Sequence, residues 1–436
     1  MKRVNSLDML ISQTKSLKGE LEVPGDKSIS HRGVLFGAIA DGKTEIENFL
    51  MGADCLSSIN CLQGLGVEFS IENQRVVVQG VGKTGLKEPG RVLDAGNSGT
   101  TMRLLLGILA GQPFHSILTG DSSLCSRPML RVAAPLRKMG AIIDGRSMGE
   151  FPPLAVRGGG IKAISHQTPV ASAQVKSAVI LAGLYAEGET TVTEPELSRN
   201  HTELMLAHFG ASITSLGTTT TISGESKLTG QKITVPGDIS SAAFFMVAGL
   251  IVPNSEIVIK NVGINPTRSG IIKVLQAMGG QIVVCNEGFS GGEPVADLVV
   301  KSSQLRGTVI EGDIIPTLID EIPVIAVAAA YADGETIIRD AAELMVKESN
   351  RITTTTTELK KFGAAISELA DGMVISGNSN KLMGSSHCQS YGDHRIAMAM
   401  AVCGLNAVGQ TKIANAECVD VSFPDFFHTL QRLAGS

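Results

Sequence analysis

The segment Leu62-Gln-Gly-Leu65-Gly66-Val67 indicates the fold, because the end of an apolar helix, a glycine and a β-branched residue follow one another there. The glycine suits the C-cap of a helix, and the β-branched residues after it suit a strand. The pattern returns, once in a weaker form, at Leu136–Ala141, Leu206–Ala211, Leu275–Gly280, Leu359–Ala364 and Leu430–Ala434. Six copies in 436 residues give a repeating unit of about 73 residues.

A second pattern alternates with the first and begins each time where an apolar helix ends. It reads Gly-x-Thr-x-(Ile/Val), and its copies start at Gly42, Gly188, Gly334 and Gly409. Each unit therefore reads strand, helix, strand, helix, strand, strand.

Gly37–Thr44 also fits a Walker A motif, but a P-loop follows a strand and opens a helix. This segment closes a helix and opens a strand, so we interpret it as a repeat turn.

A longer register divides the chain into two halves. Val23-Pro-Gly-Asp26 matches Val235-Pro-Gly-Asp238 at an offset of 212 residues, which is close to three units. We therefore expect an α/β protein of two domains with three βαβαββ units each. Residues 22–236 form one domain, and residues 1–21 plus 237–436 form the other. The last unit lacks a closing strand, so the leading residues are expected to supply it.

Composition narrows the class of protein. The 37 basic and 42 acidic side chains give a net charge of -5, without the basic excess of a nucleic-acid-binding protein. The longest apolar stretches, such as Ile322–Ala332, are too short to span a membrane. Seven cysteines without a CxxC pair indicate a reduced, cytoplasmic protein, and the histidines lack zinc-ligand spacing. We expect no nucleic acid, membrane or metal partner.

The first helix of each unit is predicted to begin at a polar or glycine-rich cluster. The six starts lie at 25–32, 96–103, 171–177, 237–243, 319–325 and 392–398. Asp, Asn and Ser there are N-cap residues, and the free N–H groups of a helix start attract anions. Lys27, Arg32, Arg103, His394 and Arg395 lie beside these starts, although a cation opposes the helix dipole there. Their repetition indicates a shared anionic ligand.

At seven places, in order and over essentially its whole length, the sequence resembles the 5-enolpyruvylshikimate-3-phosphate (EPSP) synthase family. The segments that carry the resemblance are Gly25–Arg32, Gly96–Arg103, Ser126–Pro128, Ser172–Gln174, Ile319–Glu321, Lys347–Arg351 and Gly392–Arg395. The resemblance implies a two-domain inverse α/β barrel with its active site in the interdomain cleft. It also implies a monomeric, cofactor-free transferase of the shikimate pathway, which leads to chorismate and the aromatic amino acids.

The implied reaction transfers the enolpyruvyl group of phosphoenolpyruvate to the 5-hydroxyl of shikimate 3-phosphate and releases phosphate; glyphosate is the family's inhibitor. The family's residues for shikimate 3-phosphate match Lys27, Ser28, Arg32, Ser172, Ala173, Gln174, Arg199, Asp320 and Lys347. Those for phosphoenolpyruvate match Lys27, Asn97, Gly99, Arg127, Gln174, Arg351 and Arg395. The implied catalytic residues are Asp320 as base for the hydroxyl, Glu348 as acid for the methylene carbon, and Lys27.

Two positions depart from the family pattern. Ala173 stands where Ser is common, which removes one hydroxyl donor to the substrate phosphate, and Val421 stands where many relatives have Lys. An alternative function is that of the sister UDP-N-acetylglucosamine enolpyruvyl transferase, whose active-site loop carries a reactive cysteine comparable in place to Cys125. That sister lacks the start Gly25–Arg32. A phosphometabolite-binding protein without catalysis is a second alternative, but it would not need the two carboxylates.

The same side chains also have purely structural interpretations. Asp320 or Glu321 would serve as a helix cap, and Ser172 would cap its helix as well as bind a ligand. Glu348 and Arg351, taken to lie within one helical turn, would form an ordinary i,i+3 ion pair. Geometry decides between these interpretations and a shared site.

Overall fold

The computed structural model of the chain describes residues 8–378, 382–385 and 387–435. The chain divides into two compact units. The inserted unit consists of Gly25–Pro236 and Phe289–Glu293. The terminal unit consists of the described residues before Gly25, Gly237–Gly288, and the described residues from Pro294 onward.

The strands of both units are short. In chain order they are β1 (Met9–Ser12), β2 (Lys18–Glu22), β3 (Asp41–Glu47), β4 (Glu68–Glu72), β5 (Arg75–Val81), β6 (Leu93–Asp94), β7 (His115–Thr119), β8 (Ile142–Gly145), β9 (Phe151–Arg157), β10 (Ser165–Gln167), β11 (Glu189–Thr193), β12 (Ile213–Leu216), β13 (Thr219–Ser223), β14 (Lys232–Thr234), β15 (Glu256–Gly263), β16 (Gln281–Ser290), β17 (Glu293–Lys301), β18 (Val309–Ile310), β19 (Asp333–Ile338), β20 (Ala365–Glu368), β21 (Met373–Asn378), β22 (Cys388–Gln389) and β23 (Gln410–Ala414). Alternation decides which face of each strand is buried: Val76 and Val78 of β5 are buried, and Arg75 and Gln79 are exposed.

The helices occupy the intervals between these strands. They are α1 (Lys27–Ile39), α2 (Ala53–Gly64), α3 (Gly99–Ala110), α4 (Leu130–Met139), α5 (Arg146–Gly149), α6 (Ala173–Gly183), α7 (His201–His208), α8 (Ile239–Ile251), α9 (Gly270–Ala277), α10 (Ile322–Tyr331), α11 (Arg351–Lys361), α12 (His394–Asn406) and α13 (Phe426–Ala434). Short 3-10 helices lie at Leu124–Ser126, Gly312–Thr317, Ile319–Glu321, Ala342–Val346 and Ala416–Val421. None of the helices in the described part of the chain is long and apolar enough to cross a bilayer.

Three four-stranded sheets form the inserted unit, in the orders β14-β3-β5-β4, β6-β7-β9-β8 and β10-β11-β13-β12. The first two strands of each sheet are parallel, and the other pairs are antiparallel. A helix therefore connects the parallel pair in two of the sheets, α3 between β6 and β7 and α6 between β10 and β11. In the remaining sheet the parallel strand β14 comes from the far end of the unit.

The terminal unit repeats this plan with the orders β16-β17-β15-β2, β18-β19-β21-β20 and β1-β23-β22. The parallel strand β2 comes from the start of the chain and pairs with β15. Strand β1 pairs antiparallel with β23, with Met9 opposite Ile413. The prediction that the leading residues complete the last repeat is confirmed.

In each unit the first helices of the three repeats form the centre and the sheets lie outside them. All thirteen residues of α8 are buried, and α8, α10 and α12 pack against one another in the terminal unit. Helices α1, α3 and α6 occupy the same place in the inserted unit. A helix that is apolar on nearly all sides must be buried, which explains why α8 and α10 lie inside. Each unit is thus an α/β barrel with its helices inside.

The two Val-Pro-Gly-Asp copies lie where the chain passes from one unit to the other. In the inserted unit, the backbone N–H of Asp26 donates to Pro236 O over 2.8 Å. In the terminal unit, the N–H of Asp238 donates to Pro24 O over 2.9 Å. The repeated motif is therefore paired with its own copy.

Candidate active site

Helices start at all six predicted clusters, and the caps place the candidate side chains. Asp26, Ser98, Asp238 and Asp393 each accept a hydrogen bond from a backbone N–H of the first turn that follows. Ser172 occupies the N-cap position of α6, but its side chain makes no cap hydrogen bond. The predicted capping role of Ser172 is wrong, because its hydroxyl accepts no hydrogen bond from the first turn of α6.

One cluster in the inserted unit gathers around Arg127. Its Nη2 donates to Asn97 Oδ1 over 2.6 Å, and Asn97 Nδ2 donates to Asp121 Oδ2 over 2.7 Å. The Nε atom of Arg127 is buried and has no hydrogen-bond partner among the described residues. Asn97 thus orients a guanidinium that keeps donor capacity for an anion.

Gly99 lies at the first turn of α3 beside two guanidinium groups. A Cβ atom at Gly99 would lie 2.7 Å from Arg103 Nη1 and 3.6 Å from Arg127 Nη1. Arg103 Nη1 donates to Gln174 Oε1 over 2.7 Å, which connects α3 to the start of α6. The predicted residues Asn97, Gly99, Arg127 and Gln174 are therefore close together, and glycine leaves room for the arginines.

A second cluster in the inserted unit surrounds the first turn of α1. Arg32 is buried and donates to Ser28 O, Thr202 Oγ1 and Ser177 Oγ over 2.7 to 3.0 Å. Burial lowers the pKa of Arg32 to about 10, and the neighbouring charge of Arg199 adds to the lowering. The guanidinium therefore remains charged at neutral pH. Lys27 Nζ lies 3.3 Å from Asp54 Oδ2.

The terminal unit contains a cluster of carboxylates around Arg351. The Nη2 atom lies 2.6 Å from Glu348 Oε2, Nη1 lies 3.1 Å from Asp320 Oδ1, and Nε lies 2.9 Å from Asp393 Oδ2. Arg351 is 1% exposed. Burial acts to lower the pKa of Arg351, but the three carboxylates outweigh it and raise that pKa above its ordinary value. The same guanidinium lowers the pKa of Asp393 against the opposing effect of burial.

Arg395 and Glu321 form the adjoining part of this cluster. Arg395 Nη1 donates to Asp320 O over 3.1 Å and lies 3.5 Å from Glu321 Oε1. The same Glu321 oxygen accepts a short hydrogen bond from Ser240 Oγ. The side chain of Glu321, the N-cap residue of α10, makes no cap hydrogen bond. Glu321 therefore orients Arg395 instead of capping, and Asp320 is directed to Arg351.

Lys347 and Glu348 lie before helix α11 and are not part of it. Helix α11 starts at Arg351, and Asn350 caps it. The assumption that Glu348 and Arg351 lie within one helical turn is wrong, because Asn350 caps α11, but the i,i+3 ion pair between them is present. Lys347 Nζ still lies 3.7 Å from Asp320 Oδ1 and 2.8 Å from Glu343 Oε1.

Two carboxylates of these clusters, Asp393 and Asp121, are not among the residues predicted from the sequence. Asp393 stands inside a quoted motif, and its charge next to a helix start is the signal that could have found it. Asp121 lies in a segment without any motif and gave none. Ala173 is the first residue of α6, and Val421 ends a 3-10 helix. In the described ranges, no three His, Cys, Asp or Glu side chains are grouped as metal ligands.

Six repeats with helices inside, and paired cations and carboxylates at the helix starts, define an α/β protein of the enolpyruvyl transferase type. A family model described as EPSP synthase (3-phosphoshikimate 1-carboxyvinyltransferase) matches residues 11–430. The chain therefore belongs to the EPSP synthase family and is a transferase. This is the family that the seven segments predicted.

Individual relatives agree with the family model. A 3-phosphoshikimate 1-carboxyvinyltransferase of Desulforamulus reducens is 57% identical over 430 residues, 98% of this chain and 99% of the relative. The enzyme of that name from Brevibacillus brevis is 56% identical over 424 residues, 97% of this chain and 99% of the relative. A solved EPSP synthase structure from Acinetobacter baumannii matches with a TM-score of 0.89 and 45% identity, covering 98% of both chains. The predicted fold class is confirmed.

Proposed function

We propose that this chain transfers the enolpyruvyl group of phosphoenolpyruvate to the 5-hydroxyl of shikimate 3-phosphate and releases phosphate. This is the carboxyvinyl transfer of the shikimate pathway, which leads to chorismate and the aromatic amino acids. The membership of the family supports the reaction. The clusters described above support the division of roles, because both substrates are anions and each cluster contains guanidinium or ammonium groups.

Phosphoenolpyruvate is proposed to bind the cations Lys27, Arg127, Arg351 and Arg395, with Asn97, Gly99 and Gln174 beside it. Arg127 supports this assignment because its Nε has no hydrogen-bond partner in the described structure. Arg351 already makes four hydrogen bonds to carboxylates through its five N–H groups. It therefore offers one further N–H to a ligand unless a carboxylate moves.

Shikimate 3-phosphate is proposed to bind at the starts of α1 and α6. The proposed contacts are Lys27, Ser28, Arg32, Ser172, Ala173, Gln174 and Arg199, with Asp320 and Lys347 from the terminal unit. The hydroxyl of Ser172 is not used as a cap, which supports its role as a donor to the phosphate. Ala173 contributes its backbone N–H at the first position of α6.

Two carboxylates carry the proton transfers in this proposal. Asp320 accepts the proton of the 5-hydroxyl, and the oxygen of that hydroxyl bonds to C2 of phosphoenolpyruvate. Glu348 gives a proton to C3. The resulting tetrahedral ketal then loses a proton from C3 back to Glu348 and loses phosphate from C2, which restores the double bond. Glu348 enters the first step protonated in this proposal, and the proton that it gives to C3 is balanced by the one that returns to it in the second step.

The observation that carries the proposal is that Arg351 holds Asp320 and Glu348 together, at 3.1 Å and 2.6 Å. A shared guanidinium fixes the distance between a base and an acid, and such preorganisation is a large part of catalysis. Ionic side chains stabilise the leaving phosphate without a metal in this proposal.

Phosphate release tests the reaction directly. The protein is supplied with phosphoenolpyruvate and either shikimate 3-phosphate, UDP-N-acetylglucosamine or no acceptor. We expect phosphate only with shikimate 3-phosphate. Release with UDP-N-acetylglucosamine would establish the sister activity instead, and no release with either acceptor would make the chain a binding protein.

We further propose that the two units act on the same pair of substrates, and that the enzyme is a cytoplasmic monomer. The division of the proposed contacts supports the first point, since the inserted unit contributes Lys27 to Arg199 and the terminal unit contributes Asp320 to Arg395. The cysteines support the cytoplasmic location, because all seven are free thiols, as is usual in a reducing compartment.

A further inference from the structure

Glu194 is a buried carboxylate that joins two loops of the inserted unit. Its Oε1 accepts a hydrogen bond of 2.9 Å from the backbone N–H of Ser172. Its Oε2 accepts from Ser198, over 3.3 Å from the backbone N–H and over 2.8 Å from the hydroxyl. Ser172 begins α6, and Ser198 precedes Arg199. The two oxygens of one carboxylate therefore connect two segments that are proposed to bind the substrate phosphate.

A buried lysine completes the cluster. Lys176 Nζ lies 2.8 Å from Glu194 Oε2 and 2.8 Å from Glu203 Oε1, and it donates to Ser198 O over 3.3 Å. The side chains of Lys176, Glu194 and Glu203 are 1%, 0% and 6% exposed. Removing three charges from water is costly, and the removal of one partner would leave the others buried without full compensation.

The loop that follows β11 depends on this contact. Residues 194–200 form neither helix nor strand, and Pro195, Glu196 and Leu197 are exposed. The side chain of Glu194 therefore fixes this loop by hydrogen bonds, in place of the backbone hydrogen bonds that a strand would make in a sheet. At the start of α6, the same carboxylate accepts a hydrogen bond from the backbone N–H of Ser172. The Ser172 hydroxyl makes no cap hydrogen bond.

We propose that Glu194 is a positioning residue for shikimate 3-phosphate: it fixes Ser172 and Arg199 in the arrangement that receives the phosphate, without touching the substrate itself. This inference rests on the proposed function of these two residues. It predicts that loss of the carboxylate weakens binding of shikimate 3-phosphate selectively. Binding of phosphoenolpyruvate and the chemical step depend on other clusters and should change little.

Glu194→Gln tests the proposal, with Glu203→Gln as its matched control. Glu203 pairs with the same lysine but contacts neither Ser172 nor Ser198. We expect Glu194→Gln to raise the KM for shikimate 3-phosphate about tenfold, while kcat and the KM for phosphoenolpyruvate stay within about twofold. Glu203→Gln should raise the KM for shikimate 3-phosphate clearly less than Glu194→Gln does, even if its melting temperature falls, because Glu203 acts on the site through its charge near Arg32 and not through Ser172 or Ser198. An equal rise of this KM in both variants would overturn the proposal.

Two further variants separate the possible failures. Ser172→Ala tests the proposed binding site itself, and an unchanged KM for shikimate 3-phosphate there would reject the site assignment. If Ser172→Ala raises this KM but Glu194→Gln does not, the site stands and the role of Glu194 is wrong. Should Glu194→Gln fail to fold, Ser198→Ala removes only one donor to the carboxylate. It should raise the same KM about threefold, and no rise would overturn the inference.

Discussion

Asp320 and Glu348, 28 positions apart in the chain, are bound to the same guanidinium: Arg351 Nη1 lies 3.1 Å from Asp320 Oδ1, and Nη2 lies 2.6 Å from Glu348 Oε2. A rigid planar group with fixed donor directions thus sets the separation of the proposed base and acid. Any change to one carboxylate alters the electrostatics of the other. The two should therefore be tested separately and with a neighbouring carboxylate as control.

Glu348→Gln and Asp320→Asn should each lower kcat by roughly 10²–10⁴-fold while both substrates still bind, because an amide neither gives nor accepts the required proton. Steady-state phosphate release measures kcat, and equilibrium binding of shikimate 3-phosphate checks occupancy. Glu343→Gln is the control, since Glu343 is a neighbouring carboxylate that pairs with Lys347 at 2.8 Å and has no proposed part in the proton transfers. Turnover near the parent value in either amide variant would remove that residue from the mechanism.

Gly99→Ala should weaken glyphosate more than phosphoenolpyruvate. The new Cβ would lie 2.7 Å from Arg103 Nη1, so the guanidinium must shift and narrow the space that the longer inhibitor needs. A methyl-sized change in a pocket discriminates by ~1–3 kcal/mol, or roughly 5–150-fold. The measurement compares the inhibition constant of glyphosate with the KM of phosphoenolpyruvate. Gly90→Ala, where an added Cβ meets nothing within 4 Å, is the control. Equal shifts of both constants at Gly99 would contradict the steric argument.

Asp393→Asn should destabilise the fold in a pH-dependent way. Asp393 is fully buried against Arg351, and its pKa lies below the ordinary value. The unfolded chain therefore takes up this proton first as pH falls, so the stability is present above the unfolded pKa of ~3.9 and is lost below it. Urea unfolding at pH 7 should give a free energy of unfolding that is about 3–5 kcal/mol lower for the variant than for the parent. This difference should shrink below about pH 4; a constant difference at all pH values would exclude the ion pair as its source.

His31→Asn should remove a pH-dependent loss of stability at mildly acidic pH. Burial lowers the pKa of His31 well below its ordinary value, and the charges of Lys27 and Arg32 add to this. Below pH ~6.5 the unfolded chain binds a proton at His31 that the folded chain does not, which costs about 1.4 kcal/mol per pH unit. Between pH 6.5 and 5.5 the parent should lose about 1 kcal/mol more than the variant. His115→Asn changes an exposed histidine and should leave the pH dependence of the free energy of unfolding as it is in the parent.

Shikimate 3-phosphate together with glyphosate should lower the radius of gyration in small-angle X-ray scattering. The physical reason is that the proposed contacts come from both units, and bound anions offset the repulsion between their cations. Shikimate 3-phosphate alone and glyphosate alone are the controls. An unchanged radius with both ligands would count against joint action of the two units.

Sequence patterns predicted the repeats well but not the partners of the charges. Helix starts such as Gly392–Arg395 were predictable because capping is a local interaction between residues two or three positions apart. The contact between Asp393 and Arg351 spans 42 positions, and that between Glu194 and Ser172 spans 22. Such contacts depend on how repeats pack, which spacing does not encode. Local preference also failed where two residues compete for one role, as Asn350 shows by capping α11.

The pairing of β1 with β23 has a consequence for synthesis. Met9 lies opposite Ile413, so the first described strand has no partner until about 400 further residues have left the ribosome. At ~5–20 residues per second, this strand waits for roughly 20–80 s. The three sheets of the inserted unit use strands from Asp41 to Thr234 and are complete much earlier. We therefore expect the inserted unit to form during translation, and the sheet that contains β1 to close only after β23 has left the ribosome.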